Sequence, residues 1–194
     1  MGMKVAGFVL TGGQSSRMGR DKARLLHGSR YVVQDLMETV SRVTDFVSLV
    51  GRPEMFTDMT VRCLPDLRSG LGPMAGLETA LLCSRAEFGE ALNLVVGCDM
   101  PGLRLSWLQQ LLAVAEETGA PCVAAKDSTG KIHPLCAVYR IACLPVIQQA
   151  LDAGQLRLMD LLARLNTVEL PIEDVIANVN TPGEWVAWQE RTIG

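Results

Sequence analysis

The sequence predicts an α/β fold, a largely parallel sheet with helices layered on both faces. Three observations carry this expectation. Short apolar runs alternate with helix-period segments along the whole chain. The runs, such as KVAGFVL and ALNLVVG, are apolar at consecutive positions, as strands buried on both faces are. The segments between them are short, without a repeat, low-complexity tract or linker. At 194 residues, 48% hydrophobic and 20% charged, the chain suits one domain, 1–194, with a substantial core.

Taken in order, KVAGFVL (4–10) reads as a buried strand, YVVQDLMETVSRV (31–43) as a helix and DFVSLVG (45–51) as a second strand. TVRCLPD (60–66) is a third. PMAGLETALLCSR (73–85) has apolar residues at helical spacing behind a proline that fits a first turn. ALNLVVGCD (91–99) is a continuous apolar strand ending in an acid, and LSWLQQLLAVAEET (105–118) is a helix stopped by Gly119. PCVAAK and PLCAVYR lie close enough in sequence to be antiparallel partners. Helices near 142–153 and 157–165, a short strand at 167–170 and a last helix from 182 complete the pattern.

Composition removes several functions. A net charge of −3 argues against a broad nucleic-acid or membrane-surface binder, so any positive field is local. The N-terminal apolar run, about seven residues, is too short and too glycine-rich for a signal peptide, and no stretch approaches the roughly 18 apolar residues that cross a bilayer. A soluble, cytoplasmic protein is expected. The cysteines at 63, 83, 98, 122, 136 and 143 never form Cys-x-x-Cys, and with only His27 and His133 they read as reduced thiols packed as small hydrophobes, not as a zinc site.

In a parallel sheet, ligands sit beyond the carboxyl ends of the strands, near the point where strand order reverses. Three strand ends carry unusual residues. The first runs into LTGGQSSRMGRDK, where Gly12, Gly13 and Gly19 let backbone N–H groups approach an anion while Arg17 and Lys22 supply charge. The spacing matches neither a P-loop nor the Gly-x-Gly-x-x-Gly dinucleotide fingerprint, which implies another kind of phosphate loop. The central strand ends in VGCDMP, where Asp99 is placed either to cap the next helix or to hold Mg²⁺, an ion suited to one or two carboxylates plus substrate phosphates. Asp66, at the end of the third strand, has the same two readings. Two acids beside one cationic glycine loop fit a nucleoside triphosphate and its metal.

Further along, Asn178 and Asn180 flank Val179, so in an extended segment both amides face one side, while Thr181-Pro182 reads as a helix start. His133, before Pro134, is either a turn residue or a contact to a second substrate. Arg157 is either a solvated helix residue or an anion contact. Trp107, Trp185 and Trp188 stand at helical positions and read as packing.

LTGGQSSRMGRDKARL, PDLRSGLGPMAGL, GCDMP, IHPLCAVYR and NVNTPGEW, in this order and across residues 5–190, resemble the molybdenum cofactor guanylyltransferases and, more widely, nucleotidyltransferases of the glycosyltransferase-A type. The resemblance implies a three-layer α/β/α, Rossmann-like sheet of the nucleotide-diphospho-sugar transferase type with one antiparallel strand. It implies Mg²⁺-dependent transfer of GMP from GTP to molybdenum-bound molybdopterin, with release of pyrophosphate. On that reading Leu10, Thr11, Gly12, Gly13, Lys22, Asp66 and Asp99 bind the nucleotide, and Asp99 also binds the metal. Lys22, Asp99 and Arg17 act in catalysis, and Asn178, Asn180, Arg157 and His133 face the acceptor. Thr11 stands where the family more often has alanine, and GSRYVV (28–33) replaces its usual Gly-(Lys/Arg)-Pro-Leu. Transient contact with proteins that donate or receive the cofactor is expected, and no nucleic-acid partner. The other readings are a cytidylyltransferase acting on the same pterin, a sugar-phosphate nucleotidylyltransferase, and an inactive nucleotide-binding partner that delivers cofactor.

Overall fold

A computed structural model of the chain describes residues 3–11 and 25–193. Among the described residues seven strands form one sheet, in the order β5-β4-β1-β6-β8-β7-β9. They are β1 (Lys4–Leu10), β4 (Phe46–Gly51), β5 (Cys63–Pro65), β6 (Ala91–Gly97), β7 (Cys122–Lys126), β8 (Ile132–Arg140) and β9 (Val168–Pro171). Strands β5, β4, β1 and β6 are mutually parallel. Strand β8 runs against both neighbours, β6 and β7, and β9 is parallel to β7, so β8 alone is reversed. The α/β class and the expected antiparallel pair are both present.

The helices are α1 (Val32–Ser41), α2 (Pro73–Phe88), α3 (Leu105–Thr118), α4 (Leu144–Asp152), α5 (Leu158–Arg164) and α6 (Pro182–Ile193). Alternate residues of the central strands feed two cores. Phe8, Leu10 and Val95 pack with residues of α2, α4 and α5. Val9, Leu94 and Val96 pack with those of α1 and α3 on the other face. This is the three-layer arrangement, and it explains why the strands are apolar on both faces. Helix α2 lies between the sheet and α4, and residues 74–81 are buried without interruption, so it lacks the polar stripe of a surface helix. Pro73 takes its first position, and α3 ends at Gly119, whose φ of 64° is the left-handed conformation that terminates helices.

The structure departs from the sequence expectation in three places. A two-stranded hairpin, β2 (Leu26–His27) with β3 (Arg30–Tyr31), precedes α1, and strands of two residues leave no periodicity to read. Strand β5 is shorter than 60–66, as an edge strand with a single partner permits. Strand β8 begins at Ile132 and runs through Pro134, because the β7–β8 register shifts between Ala124 and Ala125, and a bulge is where a sheet tolerates proline.

The crossover from β1 through α1 leads to β4 on one side of β1, whereas β6 pairs on its other side. The switch point therefore lies between β1 and β6. There the chains part with the Cys98 amide donating to the Leu10 carbonyl at 3.0 Å.

Candidate active site

The carboxyl ends of β1, β5 and β6 share one edge of the sheet, which brings Leu10-Thr11, Asp66 and Asp99 to the same side of the molecule. Gly12, Gly13, Arg17 and Lys22 lie outside the described residues. Leu10 and Thr11 are buried, and Thr11 spends its hydroxyl internally: Oγ1 donates to the Val50 carbonyl at 3.0 Å, and its amide donates to the same oxygen at 2.8 Å. An alanine at this position would lose only that inward bond, leaving the backbone facing the switch point unchanged.

Asp66 follows β5 at the entry to the loop that leads into α2. Its Oδ1 is buried without a hydrogen-bond partner among the described residues, and burial raises the carboxyl pKa above its ordinary value. Oδ1 approaches Gly76 of α2, where a β-carbon would come within 3.4 Å. The loop around Asp66 is held from the α2 side: the Leu67 amide donates to Thr79 Oγ1 at 3.1 Å. Arg68 lies 2.9 Å from the buried Glu78 as an ion pair without an aligned hydrogen bond, and donates to Asp152 of α4 at 2.6 Å. An acceptor fixed in place and left unsatisfied needs a donor from elsewhere.

Asp99 stands just beyond β6. Its Oδ1 occupies the space a Gly97 side chain would need, since a β-carbon there would lie 2.6 Å away. Its Oδ2 accepts from Asn178 Nδ2 at 3.2 Å, and its carbonyl accepts from the Val179 amide at 2.8 Å. The segment containing Asn178 is thus clamped to the end of β6 by main chain and side chain together. Val179 is buried between a half-buried Asn178 and an exposed Asn180, the alternation of an extended segment. Thr181 caps α6. Its Oγ1 accepts from the Glu184 amide at 3.2 Å, and Glu184 Oε2 returns to the amides of Thr181 and Asn180, at 2.9 and 2.6 Å. The helix start expected at Thr181-Pro182 is present, and the Asn178 amide, expected to face an acceptor phosphate or a metal, meets the Asp99 carboxylate.

His133 is in a different place from an acceptor contact. It is 1% exposed inside the β7–β8 hairpin, with Nε2 2.8 Å from Asp127 Oδ2. An ionised carboxylate can only accept, so this nitrogen carries the proton. Burial by itself would raise the Asp127 pKa, but hydrogen bonds from Thr129, His133 and the Lys131 amide overcome it and hold the carboxyl well below the usual range. Where an acceptor contact was expected, His133 stands as a brace of the hairpin, its ring enclosed and its Nε2 engaged by Asp127. Arg157 is exposed at the N-cap of α5, and no hydrogen bond or ion pair joins it to Asp99 or Asn178 among the described residues. The tryptophans pack as expected. Trp107 donates to Asp174 at 3.3 Å and Trp185 stacks on Trp188 at 5.2 Å. Trp188 also walls a cleft of about 220 Å³ beside Pro101 and Gly102, on the α1 side of the loop that follows Asp99.

Two residues of this edge escaped the sequence reading. Lys131, in the β7–β8 turn, donates from Nζ to Asn178 Oδ1 at 3.0 Å. The string DSTGK marks a turn but not what its lysine reaches. Gly97 is the other; its role appears only with the carboxylate in place. The buried thiols are quiet, with Cys122 and Cys136 pushed up to about 12 by burial. Among the described residues no three His, Cys, Asp or Glu side chains gather as a metal cage, and no helix is long and apolar enough to cross a membrane. One carboxylate facing an edge where phosphates would supply the other oxygens still fits the modest protein share that Mg²⁺ takes.

Comparison with known proteins agrees with this fold. Residues 7–168 match the MobA-like NTP transferase domain. The chain is 32% identical over 181 residues to a probable molybdenum cofactor guanylyltransferase of Flavobacterium johnsoniae, covering 91% of this chain and 92% of that one. A protein of the same description from Carboxydothermus hydrogenoformans is 30% identical over 186 residues, covering 91% of each. Among solved structures, molybdopterin-guanine dinucleotide biosynthesis protein A from Archaeoglobus fulgidus superposes with a TM-score of 0.79 at 24% identity, over 98% of this chain and 99% of that one. The 2-C-methyl-D-erythritol 4-phosphate cytidylyltransferase of Thermus thermophilus superposes with a TM-score of 0.70 at 14% identity, over 96% and 98%. At such identities these two speak for the fold.

Proposed function

The chain belongs to the MobA-like NTP transferase family, and from that premise we propose that it transfers GMP from GTP to molybdenum-bound molybdopterin, releasing pyrophosphate. The observation that carries this reading is the meeting of GCDMP with NVNTP, 79 positions apart, through the Asn178–Asp99 hydrogen bond beside the switch point. Relatives described as probable molybdenum cofactor guanylyltransferases over nine-tenths of the chain supply the base and the acceptor.

The chemistry is a displacement at the α-phosphorus. A terminal phosphate oxygen of the pterin forms the new P–O bond, the bond between the α-phosphorus and its bridging oxygen breaks, and the electron pair leaves with pyrophosphate. The attacking phosphate is already an anion at neutral pH, so positioning and charge compensation matter more than a strong general base. Asp66 offers its unpaired oxygen to a donor of the nucleoside, a guanine N–H or a ribose hydroxyl. Gly12 and Gly13 are assigned to cradle phosphate oxygens with their amides, and Lys22 and Arg17 to compensate charge. Asn178 holds the Asp99 carboxylate, and Asn178, Asn180 and Arg157 are assigned to the acceptor side. Asp99 is the residue that would hold Mg²⁺. Bound there, the ion would supply charge neutralisation on the triphosphate.

The test is pyrophosphate release from each of the four nucleoside triphosphates, with and without molybdenum-loaded molybdopterin. Release that requires both GTP and the pterin is the expected result. Release with CTP in preference to GTP would move the chain to cytidylyl transfer, and no release with any nucleotide would leave a binding partner without catalysis.

A further inference from the structure

We propose that Lys131 is a positioning residue for Asp99, acting through the carboxamide of Asn178. This rests on the nucleotidyl-transfer reading for its consequence in catalysis, but its geometry stands independently.

A carboxamide has two unlike ends, an oxygen that only accepts and an NH₂ that only donates. Asn178 lies between an ammonium that can only donate and a carboxylate that can only accept: Lys131 Nζ is 3.0 Å from Oδ1, and Nδ2 is 3.2 Å from Asp99 Oδ2. One orientation of the amide satisfies both neighbours. The flipped orientation sets amide oxygen against carboxylate and amide NH₂ against ammonium, two repulsive contacts in place of two attractive ones. Lys131 thereby selects the rotamer of Asn178 in which the NH₂ faces Asp99. Without the ammonium, the half-buried amide has, among the described residues, only the carboxylate to orient it.

The hairpin is built to hold this lysine still. The Lys131 amide donates to Asp127 Oδ1 at 3.1 Å, and its carbonyl accepts from the Asp127 amide at 2.9 Å. The same carboxylate takes the Thr129 amide at 2.9 Å, the Thr129 hydroxyl and His133 Nε2. Four donors on one buried acid fix the turn immediately before Ile132, so the buried Asp127–His133 pair has an end in the crevice through Lys131. On the other side, Val179 is tied to the Asp99 carbonyl, so Asn178 has little backbone freedom of its own. A lone surface lysine needs none of this bracing.

The test is a double-mutant cycle of Lys131→Met and Asn178→Ala, read by steady-state pyrophosphate release, with the side-chain ¹⁵N–¹H₂ resonances of Asn178 followed in the free protein. Lys131→Met is expected to lower kcat by about tenfold with a smaller change in the KM for GTP, since it disorients a group without removing a substrate contact. Added to Asn178→Ala it should cost nothing more. Lys131→Arg, which keeps a donor, should recover most of the rate, and thermal melts of the two Lys131 single variants should match the wild type because Lys131 is exposed. The Asn178 resonances should shift in Lys131→Met and return towards their positions in Lys131→Arg. Additive losses in the cycle, or unmoved resonances, overturn the proposal. A wild type silent with GTP while the resonances still respond would sink the transferase reading and leave the Lys131–Asn178–Asp99 connection standing.

Discussion

Gly97→Ala places the smallest possible side chain where the Asp99 carboxylate now sits. The new β-carbon would stand 2.6 Å from Oδ1, and on its other side 3.3 Å from Leu135 Cβ. Contacts between carbon and oxygen are comfortable from about 3.3 Å, so the carboxylate must retreat by roughly 0.7 Å. The same carboxylate carries the 3.2 Å bond from Asn178 to Oδ2, so its retreat strains that bond as well. A misplacement near 1 Å at a reacting centre costs on the order of 10²-fold in rate, and that is the fall in kcat/KM expected for GMP transfer. Gly97 pairs with Leu10 at the end of β6 and adopts an ordinary strand conformation, so alanine leaves the backbone unstrained. The assay is pyrophosphate release under saturating pterin, with a thermal melt alongside. A variant that folds as the wild type does and keeps its kcat/KM would refute the assignment of Asp99, because its carboxylate would have been moved without consequence.

Further outcomes follow from named groups. Asp66→Asn should weaken GTP binding by about 10- to 100-fold in calorimetry, the loss for a hydrogen bond to a charged group. The raised pKa of Asp66 means that it favours folding below the unfolded value of about 4 and loses that contribution as pH rises through its folded value, so at neutral pH Asp66→Asn should melt no lower than wild type. Asp127 is the opposite case: its depressed pKa gives stability present above about pH 4 and lost as pH falls through the folded value. Asp127→Asn should therefore lower Tm at pH 7, by about 2–12 °C for a loss of 1–3 kcal/mol, and the gap should narrow in melts taken below pH 4. N-ethylmaleimide at pH 8 should leave Cys122 and Cys136 unlabelled in the native protein, as peptide mapping would show, because both thiols are fully buried and pushed up to about 12. Lys22→Ala should reduce transfer by roughly 10²–10³-fold, the cost of one charge-compensating group, measured against the wild type with GTP and pterin.

The architecture was legible because its signals repeat. Continuous apolar runs marked the strands that are buried on both faces, and Pro73 and Gly119 marked a helix start and a helix stop. The hairpin at 26–31 was not legible, since two-residue strands carry no period. For the candidate site, the strand-end rule pointed to Asp66 and Asp99, which the fold places at one edge of the sheet, as acids breaking an apolar run are conspicuous. It could not decide the role of His133, because a histidine before a proline looks the same whether it faces solvent or a buried acid six residues earlier. Lys131 was invisible for a related reason: its partner is 47 positions away, and that pairing arises from the sheet order rather than from local spacing. Gly97 shows the limit most clearly, since its meaning is an empty volume that only the folded chain defines.

The most direct measurement of the central claim is the fate of label from GTP marked at the α-phosphorus. With molybdenum-loaded molybdopterin and Mg²⁺, the label should enter a pterin product of guanine dinucleotide mass, at a rate sharply reduced in Asp99→Ala, while label at the γ-phosphorus should appear only in pyrophosphate. Entry of γ-label into the pterin, or undiminished α-label transfer in a folded Asp99→Ala protein, would contradict the account.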